Sequence, residues 1–263
     1  MIIIGERINS SRKKIAAAIA AKNSEFIKQE AKIQADAGAH YLDVNGATSL
    51  DNELSDLEWL LKSIRQVTDT PFCLDSPNPA AIEKGLSLLK DKEKVFINSI
   101  TLESDKIKSI LPLVKKYNAN LIALTMDEKG VPKTKEQRID IIKKICACLK
   151  EYEISQDSVY FDLLVQPLST QQDQAVVFLE TLKEVKKMQL KVICGLSNVS
   201  FGLPNRSIIN ASFLGSVMSL GIDAVIIDPI DEIMSNAVSA MKVILNQDEY
   251  CLNYIKRMRA KRL

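Results

Sequence analysis

Histidine is almost missing from this chain: His40 is the only one among 263 residues. Cysteine is sparse and poorly arranged for ligation. Cys73, Cys146, Cys148, Cys194 and Cys251 are odd in number and contain no C-x-x-C spacing. Cys146 and Cys148 fall two apart on a predicted helix and so point in different directions. With one imidazole and no thiol cluster, no metal site is expected, and free thiols in a reducing compartment are the simple reading. Long apolar runs are missing too. Met1–Ile4 is apolar, but Glu6 and Arg7 interrupt it too early for a signal peptide. No run approaches the roughly 18 apolar residues that span a bilayer. Nor does one sign of charge dominate: 35 basic against 33 acidic residues leave +2, with both signs interspersed. That balance argues against a polyanion such as nucleic acid as partner. A cytoplasmic protein, bound neither to membrane nor to nucleic acid, is expected.

What the chain does contain is a regular alternation. Short apolar runs suited to strands fall at Ile2–Gly5, Tyr41–Asn45, Phe72–Asp75, Val95–Ser99, Leu121–Thr125, Val159–Asp162, Lys191–Cys194 and Ala224–Asp228. Helical patterns lie between them: near Ser24–Ala37 with Gly38 as a left-handed stop, from an Asp51 N-cap through Val67, and from Pro79 at a first helical position. Others follow at Glu103–Tyr117, Lys135–Tyr152, Gln171–Met188, Ile208–Leu220 and Asp231–Leu245. In the second of these, Leu54, Leu57, Leu60, Leu61 and Ile64 are expected on one face. Eight strand–helix repeats without a linker predict an α/β fold of one domain over 1–263, a closed (β/α)₈ barrel. A doubly wound open sheet is the alternative. A basic helical tail, with Lys256, Arg257, Arg259, Lys261 and Arg262, ends the chain from about residue 247.

The densest polar stretch is KVICGLSNVSFGLPNR, Lys191–Arg206. An apolar run ends at Gly195, and an irregular polar loop follows before a helix starts near Asn205. Ligands of parallel barrels sit where strands end and loops converge, so Asn198 is read as the centre of chemistry. The polar residues at the other strand ends are Glu6, Asn9, Asn45, Asp75, Asn98, Asp162 and Asp228. Any one of them suits a turn or a helix cap. Together they give one mouth four carboxylates and several amides. Without a metal or many lysines, that lining suits a neutral heterocycle rich in N–H donors and carbonyl acceptors. A 2-amino-4-oxo pterin qualifies, and a guanine-like ligand satisfies the same logic.

GERIN (Gly5–Asn9), LDVN (Leu42–Asn45), LDS (Leu74–Ser76), INS (Ile97–Ser99) and GLSNVSFGLPNR (Gly195–Arg206) resemble the methyltetrahydrofolate–corrinoid protein methyltransferases. These are pterin-binding (β/α)₈ barrels, related to the folate domain of cobalamin-dependent methionine synthase and more distantly to dihydropteroate synthase. The resemblance implies a pterin held by Asp75, Asn98 and Asp162, with Gly195 and Ser197 shaping the wall and Asn198 approaching N5. Glu6, Asn9, Asn45, Arg206 and Asp228 are expected to line the rest. Leu163, where the family often has proline, and the DVNGA of Asp43–Ala47 depart from the pattern.

The implied reaction moves a methyl group between N5 of tetrahydrofolate and the cobalt of a corrinoid. Asn198 has no proton to give near neutral pH, so it is expected to stabilise changing charge at N5 while the proton comes from solvent or a water chain. The corrinoid signature Asp-x-His-x-x-Gly is absent, and His40 lies in GAHYLDVNG, a helix–strand junction. The corrinoid is therefore expected on a partner protein docked over the mouth, and the enzyme as a homodimer. Dihydropteroate synthase is the enzymatic rival, but Ile226–Asp231 reads IIDPID in place of that family's serine-arginine-lysine element. A non-catalytic folate-binding subunit of a corrinoid complex is the rival from another class, and turnover separates the two. A phosphate-sugar barrel would want a glycine-rich loop after the seventh strand, which is missing here.

Overall fold

A computed structural model describes residues 1–48, 52–90 and 94–260. Its centre is a closed barrel of parallel strands in sequential order: β1 (Ile2–Asn9), β2 (Tyr41–Asn45), β3 (Phe72–Asp75), β4 (Val95–Ile100), β5 (Asn120–Leu124), β6 (Val159–Asp162), β7 (Lys191–Gly195) and β8 (Ala224–Ile227). The last strand closes on the first, with Ile2 opposite Ala224 and Gly5 opposite Ile227. The open sheet is thereby excluded.

The helices form the outer ring: α1 (Lys13–Ala20), α2 (Ser24–Asp36), α3 (Glu53–Ile64), α4 (Pro79–Ser87), α5 (Ser104–Tyr117), α6 (Lys135–Glu151), α7 (Gln174–Lys187), α8 (Arg206–Ser219), α9 (Glu232–Ile244) and α10 (Leu252–Ala260). Local chemistry sets several starts. Asn78 caps α4 through Ala80 N with Pro79 following, Thr134 and Gln137 form a capping box on α6, and Asp231 caps α9 through Met234 N. Gly38 lies just past α2 at φ +91°, where a side chain would be strained.

Several boundaries differ from expectation. β1 continues to Asn9 through an irregularity between Gly5 and Ile8. Gln34 Oε1 accepts from Arg7 N at 3.0 Å there, and a Cβ on Gly5 would stand 2.4 Å from that oxygen. Gly5 is thus needed so that the α2 amide can satisfy the Arg7 N–H. Helix α1 had no sequence expectation; its N-cap, Arg12, makes no side-chain cap bond. Helix α3 ends at Ile64, and Leu54 is exposed; the buried face is Leu57, Leu60, Leu61 and Ile64 joined by Glu53, Asp56 and Ser63. Asp51, Lys261 and Arg262 lie outside the described residues.

Alternation of side chains along each strand divides the barrel interior into floors. The lower floors are apolar: Ile4, Tyr41, Cys73, Phe96, Ile122, Tyr160, Ile193 and Ala224 fill the centre. Phe96 meets Tyr41 and Tyr160 edge-on, with centroids 4.8 and 4.9 Å apart. This plug stops a ligand from descending. Two residues further along β1, β2, β3, β4 and β6 the interior turns polar, at Glu6, Asp43, Asp75, Asn98 and Asp162, and the cavity begins there.

Candidate active site

The cavity at the carboxyl ends of the strands has a volume of about 500 Å³ and is lined by Glu6, Asn9, Ser11, Arg12, Asp43, Asp75, Asn98, Gly195–Asn198, Arg206, Ser207, Asn210, Ile226–Asp228, Asp231 and Met234. Strand register fixes its floor. Asp75 pairs with Asn98 across β3 and β4, and Asn9 with Asn45 across β1 and β2. Asn45 Nδ2 and Asn9 Nδ2 both donate to Asp75 Oδ2, at 3.1 and 3.3 Å. Oδ1 of Asp75 takes neither bond and is left for an incoming donor. Asn98 Nδ2 donates to Asp43 Oδ1 at 3.2 Å.

Among the described residues no cation forms an ion pair with Asp43 or Asp75, and their protons are held accordingly. Burial raises the Asp75 pKa to about 6 against the hydrogen bonds from Asn45 and Asn9. Burial, reinforced by the charge of Asp75, lifts Asp43 well above the usual carboxylate range. Asp162, two past the interior Tyr160, points inward too but is almost wholly buried and is not among the lining residues. It accepts from Leu164 N at 2.8 Å, and burial raises its pKa to about 6 although the Leu164 and Gly195 N–H groups and the charge of Arg138 oppose the shift.

Gly195 is the clearance between Asp162 and the loop. A Cβ there would sit 3.3 Å from Asn198 Nδ2 and 3.9 Å from Asp162 Oδ2. The residues that follow are not irregular throughout: Leu196–Ser200 form a 3₁₀ turn. Arg206 closes this turn from α8, donating to Ser197 O at 2.7 Å and to Ser200 Oγ at 3.0 Å. Within that frame the Asn198 side chain is exposed to the cavity and makes no hydrogen bond to the described residues.

The adjoining wall, at β8 and β1, is ionic. Arg7 donates to Glu30 at 2.7 Å and to Asp228 at 2.8 Å, joining β1 to α2 and the end of β8. Arg12 reaches Glu6 at 3.2 Å and Asp228 at 3.7 Å. Ser197 Oγ donates to Glu6 Oε2 at 3.0 Å. Burial still raises the Glu6 pKa, against the Ser197 hydrogen bond and the Arg12 charge.

Of the residues singled out in sequence, Glu6, Asn9, Asp75, Asn98, Gly195, Ser197, Asn198, Arg206 and Asp228 line the cavity, while Asn45 and Asp162 support it from behind. Asp43, Arg12, Ser207 and Asn210 were missed. Asp43 had a signal: it lies two before Asn45, so strand alternation turns it to the same interior. His40 is remote from this cavity; its Nδ1 accepts from Ile3 N at 3.1 Å, as a junction residue would.

Comparison with known proteins defines the class. Residues 5–228 match the family model described as pterin binding enzyme, and the chain belongs to that family. Among its relatives is the methylcorrinoid:tetrahydrofolate methyltransferase of Eubacterium limosum, 32% identical over 98% of this chain and 96% of that protein. Methionine synthase of Mycobacterium tuberculosis is 27% identical over 86% of this chain, which corresponds to only 20% of that longer protein. Dihydropteroate synthases share the fold. The Clostridium difficile structure superposes with TM-score 0.74 at 20% identity, covering 93% of this chain and 96% of that one. The Coxiella burnetii structure gives 0.66 at 16% identity, covering 92% and 94%.

Proposed function

We propose that this protein is a methyltransferase that moves a methyl group between N5 of tetrahydrofolate and the cobalt of a corrinoid carried by a partner protein, all of 1–263 acting as one pterin-binding barrel. The observation that carries the reading is the unengaged Asn198 amide, held by a braced turn beside a floor of cation-free carboxyl groups and amides. The 32% identity to a methylcorrinoid:tetrahydrofolate methyltransferase over nearly the full length of both proteins supports it.

In this reading Asp75, Asn98 and Asp162 hold the pterin. The ring's exocyclic amine and neighbouring N–H compensate carboxylates that make no ion pair among the described residues, which is what an uncharged, donor-rich heterocycle does for a buried acceptor. Asp43 fixes Asn98 in place. Gly195 and Ser197 shape the wall, and Asn198 meets N5. N5 is a poor leaving atom until it gains positive character. An amide that accepts from N5–H or donates to N5 stabilises the charge that changes there, as a preorganised oxyanion-hole donor does. The corrinoid supplies the cobalt that takes or gives the methyl group. Exposed Phe201 stands on the mouth loop where such a partner docks.

The name of the Eubacterium limosum relative runs from methylcorrinoid to tetrahydrofolate. We assign the same direction here, as part of O-demethylation of methoxylated compounds. The protein is taken to be cytoplasmic; among the described residues no helix is long and apolar enough to cross a membrane. It is also taken to be a homodimer, for which exposed Ile208, Ile233 and Ile244 on α8 and α9 offer apolar surface. The test is single-turnover transfer between 5-methyltetrahydrofolate and reduced free cobalamin. Saturable, enzyme-dependent methyl exchange is expected, and its absence with intact folate binding would favour the non-catalytic subunit.

A further inference from the structure

Methyl exchange at N5 moves a proton as well as a methyl group, and the floor that grips the pterin is not built to supply it. We propose that Glu6 is the group that exchanges the N5 proton, working through the Ser197 hydroxyl beside Asn198. This rests on the methyltransferase reading and replaces a proton drawn directly from solvent.

The other ionisable groups of the cavity are occupied. Asp75 receives Asn9 and Asn45. Asp43 is almost wholly buried beneath Asn98. Asp228 is the ion-pair partner of Arg7, and Asp231 caps α9 while accepting from Ser207. The arginines hold their protons throughout the accessible range. Asp162, on the far side of Gly195 from Asn198, accepts from Leu164 N. Glu6 stands on the Asn198 side with its Oε2 3.0 Å from the hydroxyl of the residue preceding Asn198.

The charges facing Glu6 come from every neighbouring element: Arg12 after β1, Asp228 at the end of β8 and Arg206 at the start of α8. Burial dominates them, so the protonated form persists to higher pH than for an ordinary glutamate. A general acid benefits from such a shift toward the working pH. The other carboxyl oxygen pairs with Arg12 at the rim, and the Glu6 side chain keeps 19% exposure, a route to solvent for re-protonation.

The step balances in either direction. For transfer out of methyltetrahydrofolate, the Glu6 O–H bond breaks and its electrons stay on the carboxylate. Ser197 passes its own proton to the N5 lone pair and takes the proton of Glu6. The carbon–N5 bond then breaks with its electrons returning to N5. The reduced corrinoid, Co(I), contributes the pair that forms the new carbon–cobalt bond and becomes Co(III). In the reverse direction N5 gives its proton back to the Glu6 carboxylate, and no other oxidant or reductant is needed.

The experiment is the single-turnover assay with reduced free cobalamin from pH 5 to 8, on the parent, Glu6→Gln, Glu6→Ala and Ser197→Ala, with calorimetric binding of 5-methyltetrahydrofolate as the folding control. Glu6→Gln keeps the shape and its contact with Ser197, so its folate affinity should stay within about threefold. Its rate at saturating folate should fall about 100-fold or more, the usual lower bound for a positioned acid. The parent should show a low-pH plateau and a break, which Glu6→Gln loses. Added formate should restore Glu6→Ala in proportion to its concentration and leave Glu6→Gln unchanged, and Ser197→Ala should lose less than either. An active parent whose Glu6 variants keep its rate and pH break overturns the proposal while sparing the function. So does a loss in both variants that formate does not relieve, with the break unmoved. A silent parent overturns the function and the proposal together.

Discussion

On the side of the mouth built by β2, β3 and β4, Asp43 and Asp75 are surrounded by asparagines, and burial holds their protons well past the ordinary range. Beside it, at β8 and β1, Glu30 and Asp228 meet the guanidinium of Arg7, and Arg12 spans Glu6 and Asp228. The two walls have the same kind of acid and opposite solutions to burying it. An ion-paired carboxylate is already compensated and serves to tie β1, α2 and β8 together. A carboxyl group held only by amides keeps an oxygen available and gains most when a ligand brings N–H donors. The ionic wall, Glu6 apart, is therefore read as scaffold, and the amide wall as the part that recognises the ring. Asp162, bonded only to backbone N–H groups on its near side, belongs with the amide wall although it lies behind Gly195.

The sharpest way to break this division is at Asn198, the free amide between the walls. In the proposed reaction its contact belongs to the charged transition state more than to bound folate, so Asn198→Ala should lower kcat more than it weakens folate binding. By analogy with one preorganised oxyanion-hole donor, the loss is about 2.7–4 kcal/mol in the methyl-transfer barrier, read by stopped-flow. A single-turnover rate within about threefold of the parent would remove Asn198 from the chemistry. Next comes the contrast between the walls themselves. Asp75→Ala should cost about 1.5–3 kcal/mol of folate affinity by calorimetry. Arg7→Ala should instead leave affinity nearly unchanged and lower unfolding stability by about 1–3 kcal/mol, since Glu30 and Asp228 lose their partner. The two variants giving the same pattern would erase the distinction. The smallest effect calibrates the others: Asn78→Ala, which removes the α4 cap outside the cavity, should cost about 1 kcal/mol in urea unfolding with no change in folate affinity.

Much of this could be read in the chain because strands, glycines and caps are written in short-range patterns. All eight strands fall where apolar runs end in polar residues, and Asp75, Asn98 and Asn198 come from those ends. What escaped was set by long-range geometry. Asp43 faces the cavity from inside LDVN, one alternation below the strand end at which a site residue is sought. Arg7 and Arg12 gain their meaning from Glu6, Glu30 and Asp228, up to 221 positions away. Helix α1 carries no capping side chain to announce it, and Leu54 begins α3 at an angle that turns it outward despite its leucine neighbours. Asp162 marks the reverse case: its type and position are legible, but only packing shows that it reaches the site from behind Gly195.

Pterin binding by Asp75 and Asp162, which make no ion pair among the described residues, has a direct thermodynamic readout. In the folded protein Asp75 and Asp162 each have a pKa of about 6, against 3.8 for an unperturbed aspartate. Their contribution to stability is thus fully present below the unfolded value and is lost as pH rises through about 6. A ring that donates N–H groups to the ionised forms reverses the preference, so binding must expel protons near that pH. Tetrahydrofolate should be titrated calorimetrically at pH 6 and pH 8 in buffers of different ionisation enthalpy. The account predicts buffer-dependent heats at pH 6 that correspond to release of about half a proton per carboxyl group. It also predicts that this release disappears at pH 8, and that affinity weakens as pH falls below 6. Saturable binding whose heat is the same in every buffer at pH 6 would contradict it.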